Sequence, residues 1–112
     1  MILRQPAKLL RLHFSEHDRY DGLPLYEAIV RTCQTLGIAG VTVFRGMEGY
    51  GESAEIHRHH LLAKDQPIVM TIVETAENID RLIPEIEKMV DTAMIAVSDV
   101  ETIRIVQAGK SE

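Results

Sequence analysis

Residues 36–57, with the sequence LGIAGVTVFRGMEGYGESAEIH, contain five of the seven glycines in the chain. Gly37 follows a helical pattern and suits a left-handed residue at the end of a helix. Residues 41–44 are β-branched or aromatic, which predicts a strand. The glycines that follow permit positive φ angles or a close approach of a ligand to backbone amides. Any fold for this chain therefore has to join a helix, a strand and a polar loop in that order.

Two interpretations fit the glycines at this joint. A glycine-bearing turn beside Arg45 can hold an anion, and Gly46 belongs to the same turn. A bulged strand that leads into a flexible loop explains the same residues without a ligand. The local pattern taken alone favours this second interpretation, because clusters of glycine are common in loops.

The composition restricts the class of protein. The chain has 112 residues, enough for one domain, and 46% of them are hydrophobic, so it is expected to fold. With 17 acidic and 12 basic residues the net charge is −5, which argues against a general nucleic-acid binder. The single cysteine, Cys33, excludes an internal disulfide. We find no apolar run long enough for a membrane span and no secretory signal, so we expect a cytoplasmic protein.

Hydrophobic periodicity predicts four strands and two helices. The first strand alternates, with Leu10, Leu12 and Phe14 on one face. Both helices show apolar residues at three- and four-residue spacing, and Thr75 is expected to cap the second. The last strand alternates imperfectly, which indicates a bulge. The predicted elements are a strand over 8–14, a helix from Pro24, a strand over 41–44, a strand over 68–73, a helix after Thr75 and a strand over 97–106.

The order β-α-β-β-α-β predicts the α+β class and a ferredoxin-like sandwich, in which two helices cover one face of a four-stranded antiparallel sheet. Strand two presents either Val41 and Val43 or Thr42 and Phe44 on the uncovered face, because the sequence fits both orientations. A half-apolar face of this size is unusual on a soluble monomer, so we expect a homo-oligomer with closed symmetry. Strands one and three should supply the remaining residues of that face: Leu9, Arg11, His13, Val69, Thr71 and Val73.

Four segments resemble one known family: DRYDGLPLYEAIV at 18–30, LGIAGVTVFRGMEGYG at 36–51, the histidine of EIH at position 57 and KDQPIVMTIVE at 64–74. They are similar to a "domain of unknown function" branch of the PII-like signalling superfamily. The resemblance implies a single PII-like domain over 1–112 that forms a homotrimer. It implies that residues 50–66 act as a T-loop, and that a small-molecule effector, an adenine nucleotide (AMP, ADP or ATP), binds between subunits. A partner protein or a membrane transporter would then read the loop.

The resemblance also assigns ligand-binding residues. Residues 49–51, Gly-Tyr-Gly, match the Gly-Phe-Gly at the base of the T-loop in nucleotide-binding PII proteins. Arg104 is a further candidate for a phosphate contact because of its side-chain chemistry and not because of the resemblance, and an exposed strand arginine explains the residue equally well. PII proteins hold phosphates with a Thr-Gly-Lys-Ile-Gly-Asp-Gly loop before the last strand, whereas residues 91–97 here contain neither glycine nor lysine. This departure argues against a triphosphate and against nitrogen control, and leaves a nucleotide with fewer phosphates or another small ligand. The ligand-binding candidates are Arg45, Gly46, Gly49, Tyr50, Gly51, His57 and Arg104.

An alternative function rests on three histidines of the same loop. His57, His59 and His60 suggest a trimer that handles divalent metal ions, similar to the divalent-cation-tolerance proteins. A zinc site needs three or four convergent ligands and no cysteine accompanies these residues, so a solvated polar loop is the favoured interpretation of the cluster. We find no nucleophile with a base partner and no carboxylate pair, so an enzyme is not expected.

Overall fold

The computed structural model describes residues 1–47 and 66–109. In chain order the elements are β1 (Ile2–Ser15), β2 (Arg19–Tyr20), β3 (Leu23–Pro24), α1 (Leu25–Thr35), β4 (Thr42–Arg45), β5 (Pro67–Glu74), α2 (Ala76–Glu87) and β6 (Met94–Ile105). The main antiparallel sheet has the strand order β4-β5-β1-β6, and β2 and β3 form a separate hairpin. Apart from that hairpin, this is the predicted ferredoxin-like sandwich of the α+β class, which is confirmed.

The hydrophobic core lies between one face of the sheet and the two helices. β1 alternates as predicted, so Leu10, Leu12 and Phe14 are buried. Each aliphatic side chain that is fully buried contributes about 1.5–3 kcal/mol, so this layer stabilises the packing of the helices on the sheet. The other buried apolar residues of the main strands and helices are Leu25, Ala28, Ile29, Cys33, Ile68, Met70, Ile72, Ile79, Leu82 and Ile86.

Specific hydrogen bonds fix one end of each helix. Thr75 caps α2 as predicted, because its Oγ1 accepts a hydrogen bond of 3.2 Å from the amide of Asn78. After α1, Gly37 has a φ of 77°. The amides of Gly37 and of the next residue donate back into the last turn of α1 at 3.1 and 2.9 Å, which is a Schellman motif. Neither α1 nor α2 is long and apolar enough to cross a membrane.

Glu74 joins three parts of the fold. Its Oε1 accepts a hydrogen bond from the amide of Ala39 and its Oε2 accepts one from the amide of Thr75, both at 2.9 Å. Partial burial acts to raise the pKa of Glu74, but these bonds and one with Asn78 outweigh it and hold the pKa below its ordinary value. The ionised carboxylate therefore stabilises the junction of β5 with α2 and the connection that leaves α1.

β1 and β6 are longer than the sequence predicts. They pair without interruption from Ile2 opposite Ile105 to His13 opposite Met94, so the bulge expected in the last strand is wrong. β5 accompanies β1 only as far as Lys8. Beyond that point the two strands continue as a two-stranded ribbon, formed by residues 2–7 and 100–105. Most side chains on both faces of the ribbon are exposed, so burial imposes no alternating pattern there and the sequence signal is weak.

The register decides which side of β4 faces away from the helices. Phe44 pairs with Val69, whereas Val43 pairs with the buried Met70. Of the two orientations that fit the sequence, the strand therefore adopts the one with Thr42 and Phe44 outward. No described helix covers this side of the sheet, which we call the open face. It consists of Leu9, Arg11, His13, Thr42, Phe44, Val69, Thr71, Val73, Met94, Ala96 and Ser98.

Candidate functional site

Two hydrogen-bonded crossings hold the chain where residues 48–65 begin and end. The amide of Glu16 donates to the carbonyl of Gln66 at 3.1 Å, and the amide of Gln66 donates to Oε1 of Glu16 at 2.9 Å. The amide of Gly46 donates to the carbonyl of Pro67 at 2.7 Å. We call Glu16, Arg45, Gly46, Gln66 and Pro67 the loop stem. These bonds fix the residues on both sides of the segment 48–65 at one end of the sheet.

Arg45 is the cation of the loop stem. Its Nη2 lies 3.5 Å from Oε2 of Glu16, and Glu16 is itself held by the Gln66 amide. The arginine side chain is 58% exposed and the glutamate side chain 22%, so the ion pair orients the guanidinium and leaves much of it accessible. A pair of this kind contributes only about 0–1 kcal/mol to stability. The exposed part of the guanidinium is therefore accessible to an anion.

Gly46 allows two backbone segments of the stem to come close together. A Cβ at this position would lie 2.8 Å from Cγ of Pro67, which is shorter than any ordinary contact between carbon atoms. The amide of Gly46 already donates to the Pro67 carbonyl. The glycine is thus explained by packing, and its predicted contact with a ligand stays a prediction.

The rest of the predicted loop site lies outside the described residues, and its assignment to a ligand or a metal stays a prediction. Within 1–47 and 66–109, no group of three or more histidine, cysteine, aspartate or glutamate side chains is arranged to hold a metal ion. The predicted site residues outside these ranges are Gly49, Tyr50, Gly51, His57, His59 and His60.

Arg104 lies far from the loop stem within one chain. It pairs with Leu3 in the ribbon. Arg45 pairs across strands with Ile68, and Ile68 pairs with Phe14 at the opposite end of β1. The distance from Leu3 to Phe14 is about 37 Å at roughly 3.4 Å per residue of strand. The two arginines therefore do not share a site within a subunit, and only an assembly can bring them to one ligand.

A short hairpin, formed by β2 and β3, lies beside the stem and is not among the elements that the hydrophobic pattern predicts. The amide of Asp18 donates to the carbonyl of Ser15 at 3.0 Å, and the amide of Leu25 donates to the carbonyl of Asp18 at 2.8 Å. Asp21 and Gly22 have φ angles of 53° and 80°. Two such residues between paired strands form the type I′ turn for which Asp-Gly is a preferred sequence. That dipeptide is the signal that predicts the hairpin.

A cavity of about 440 Å³ lies between the end of α2 and the start of β6. It overlaps residues 91–97, the segment that the sequence resemblance aligns with the phosphate loop of PII proteins. Neither lysine nor arginine lines it, and its carboxylates, from Glu87 and Asp91, repel a phosphate. The cavity therefore does not replace the missing phosphate loop. Its remaining lining residues are Ile83, Ile86, Val90, Thr92, Ala93 and Ile95.

Cys33 is not a nucleophile in this fold. Its side chain is buried in the core against the sheet. Burial raises the pKa of the thiol to about 11, so the reactive thiolate is scarce at neutral pH. The residue acts as a small apolar side chain, as its place on the apolar helix face predicts.

Comparison with known proteins gives a family and a fold. The model of the DUF190 family, described as an uncharacterised ACR, matches residues 7–102. A UPF0166 protein of Aquifex aeolicus is 38% identical over 98 residues, which are 86% of this chain and 92% of that protein. A UPF0166 protein of Methanocaldococcus jannaschii is 30% identical over 98 residues, which are 83% of this chain and 88% of that protein.

Among solved structures, the chain is similar to CPII of Thiomonas intermedia, a nitrogen regulatory PII-like protein bound to ADP, AMP and bicarbonate. The TM-score is 0.61 and the sequence identity 18%, over 89% of this chain and 91% of CPII. Identity at this level shows a shared fold, which is the PII-like fold that the sequence resemblance predicts.

Proposed function

The chain belongs to the DUF190 family, and from that premise we propose that it is a PII-like regulatory protein. It forms a homotrimer, binds an adenine nucleotide between subunits and signals to a partner protein through residues 50–66. The observation that carries the proposal is the loop stem, which holds the chain on both sides of that segment and presents the Arg45 guanidinium where it begins. The fold shared with CPII, whose structure contains ADP and AMP, supports the class of ligand.

The open face supports assembly. Phe44, Val73 and Met94 are 53%, 44% and 61% exposed on it. Large apolar side chains that are concentrated on one face of a soluble chain are typical of an interface between proteins. Three copies that pack these faces around one axis remove them from water and close the assembly.

The positions of the two candidate arginines support a site shared by two subunits. Arg45 and Arg104 are separated by about 37 Å of strand within one chain. The ribbon that carries Arg104 extends past the end of β5 and away from the stem of its own chain, which supports a contact with another subunit. We therefore assign the nucleotide to a cleft between the loop stem of one subunit and the ribbon of its neighbour.

AMP and ADP fit this site better than ATP. Each further phosphate adds negative charge that needs a cation or several hydrogen-bond donors. The segment that holds phosphates in PII proteins here borders a cavity with Glu87 and Asp91 and without a basic side chain. The chain therefore offers Arg45 and Arg104 as cations, which suit one or two phosphates.

Titration calorimetry with AMP, ADP, ATP and cyclic AMP tests the ligand. We expect at least one nucleotide to bind with a Kd below 1 mM, which corresponds to about 4 kcal/mol. Arg45→Gln should weaken binding tenfold or more, since a hydrogen bond to a charged group contributes about 1.5–3 kcal/mol. The control is Arg31→Gln, which removes the same charge from α1, where Arg31 pairs with Glu27 at 3.2 Å. It should leave the affinity unchanged.

Light scattering tests the assembly. A trimer of 12.6 kDa chains has a mass of 3 × 12.6, or about 38 kDa. A mass of one chain at micromolar concentration would contradict the trimer. Failure of all four nucleotides to bind below 1 mM would contradict the ligand and leave the trimer standing.

A further inference from the structure

Four polar or charged side chains cluster in the middle of the open face. Arg11 of β1 pairs with Thr71 of β5, and Thr71 pairs with Thr42 of β4. Residues directly opposite on neighbouring strands share a face, and the strands lie about 5 Å apart. His13 follows on the same face, two residues after Arg11. We call Arg11, His13, Thr42 and Thr71 the donor cluster, since each side chain offers an N–H or O–H group.

The donor groups of this cluster are available. Among residues 1–47 and 66–109, the side chains of Arg11 and His13 make no ion pair or hydrogen bond, and neither do the hydroxyls of Thr42 and Thr71. The residues around them are mostly apolar or small, so no neighbouring side chain on the described face supplies a counter-charge.

The carboxylates of the described strands all lie on one side of the sheet. The chain has 17 acidic residues against 12 basic ones. The acidic residues of the described strands, Glu74, Asp99 and Glu101, all pair in register with even-numbered residues of β1, which places them on the helix side. On the open side the described strands carry arginine and histidine but no carboxylate. A chain that is acidic overall therefore presents Arg11 at the centre of this face, with no carboxylate of the described strands beside it.

Assembly through the open face, which belongs to the proposed function on which this inference rests, would take the Arg11 guanidinium out of water. An unpaired charge is costly to bury, and symmetry repeats the same charge in every copy. An oxyanion cancels the charge, accepts two parallel hydrogen bonds from a guanidinium and accepts others from hydroxyl groups. We propose that the donor cluster binds an inorganic oxyanion, phosphate or sulfate, which is enclosed between copies and strengthens their association.

This anion site is separate from the proposed nucleotide site. Arg45 pairs in register with the buried Ile68 and so belongs to the helix side of the sheet. Arg11 pairs with Thr71 on the open side. The two sites are therefore probed by different side chains and by different ligands.

Thermal unfolding and light scattering in sodium phosphate, sodium sulfate and sodium chloride at equal ionic strength test the proposal. For the wild type we expect a saturable rise in the unfolding midpoint with phosphate or sulfate, and a larger assembled fraction than in chloride at low protein concentration. Arg11→Gln should abolish both effects, and equilibrium dialysis should show phosphate binding weakened at least tenfold. Arg31→Gln, which loses the same charge on α1, should respond as the wild type does.

Thr71→Val provides a second variant of nearly the same shape, in case Arg11→Gln folds poorly by circular dichroism. It should weaken the response to phosphate without changing the unfolding midpoint in chloride by a comparable amount. A weakened response in Thr71→Val supports the site, and an undiminished response overturns it.

Equal midpoints and masses in the three salts overturn the proposal, and so does an undiminished response in Arg11→Gln. Assembly that is complete in chloride and lost in Arg11→Gln in every salt also overturns it, because a carboxylate of a neighbouring copy would then be the partner. A wild-type mass of one chain in all salts overturns the trimer and with it the enclosure of the anion. Nucleotide calorimetry tests the proposed function independently of these results.

Discussion

Replacing Gly46 by alanine tests whether the loop stem depends on the close approach of two backbone segments. The added Cβ would lie 2.8 Å from Cγ of Pro67, 3.6 Å from its carbonyl oxygen and 3.7 Å from its Cβ. Carbon atoms pack at about 3.5–4.0 Å, so the stem has to open by roughly 1 Å at this point. The proline ring gives little relief, because it is bonded to the backbone at both ends.

The opening also lengthens the hydrogen bond from the Gly46 amide to the Pro67 carbonyl, now 2.7 Å. Overpacking of a tight site costs about 1–3 kcal/mol, and a weakened hydrogen bond costs up to about 1.5 kcal/mol. The two costs overlap, since one movement relieves the clash and stretches the bond. We expect Gly46→Ala to lose about 1–2 kcal/mol of unfolding free energy, which lowers the midpoint by roughly 4–8 °C in a domain of this size.

Gly40→Ala is the matched control. A Cβ at Gly40 meets no atom within 4 Å, and the φ of Gly40 is not positive. We expect it to leave stability unchanged or to raise it by up to about 1 kcal/mol, because alanine restricts the unfolded chain. Urea and thermal unfolding of the three proteins at one fixed concentration measure the difference, since assembly makes the midpoint depend on concentration. Equal stability of the two variants would refute the close approach at the stem.

Three further predictions concern pH, assembly and metal. The lowered pKa of Glu74 means that its contribution is complete above the ordinary glutamate value of 4.5 and disappears as the pH falls through the lower folded-state value. Glu74→Gln should therefore be less stable at pH 7, by up to about 1 kcal/mol, and approach the wild type in acid; urea titrations that show a constant difference would contradict this. Phe44→Asp should reduce the light-scattering mass to that of one chain, whereas the charge-matched Gln34→Asp on the outer side of α1 should not; an unchanged mass in Phe44→Asp argues against the open-face interface. The double variant His59→Ala, His60→Ala should keep the metal content of the wild type in elemental analysis, because a solvated loop is the favoured interpretation; loss of one metal equivalent would support the metal-handling alternative.

The fold could be predicted from the sequence wherever one face of an element is buried. Leu10, Leu12 and Phe14 alternate because the helices cover one side of β1. β4 could not be oriented, since Val43 and Phe44 are both apolar and only pairing with β5 selects between them. The ribbon was missed because most of its side chains are exposed on both faces and because Pro6 lies in it. Proline is tolerated there, since β1 has no β5 partner beyond Lys8.

The candidate site was less accessible to sequence reasoning. Arg45 could be named from the glycine-bearing turn beside it. Its ion pair with Glu16 could not, because that contact depends on how the end of β4 packs beside the end of β1. Gln66 meets Glu16 across 50 residues of chain, and no local period predicts such a contact. The separation of Arg104 from the stem depends on the length of β1, which the sequence underestimates. Local signals predict elements, whereas the site is built from contacts between them.

The pairing of the first main strand with the last has a consequence for synthesis of the chain. Ile2 and Ile105 are opposite each other, so β1 lacks this neighbour until residue 105 has left the ribosome. Contacts between such distant residues make folding slow, and an unpaired strand edge recruits other chains. We expect nascent or C-terminally truncated chains to require protection by chaperones, and their aggregation to begin at the β1 edge that β6 normally covers.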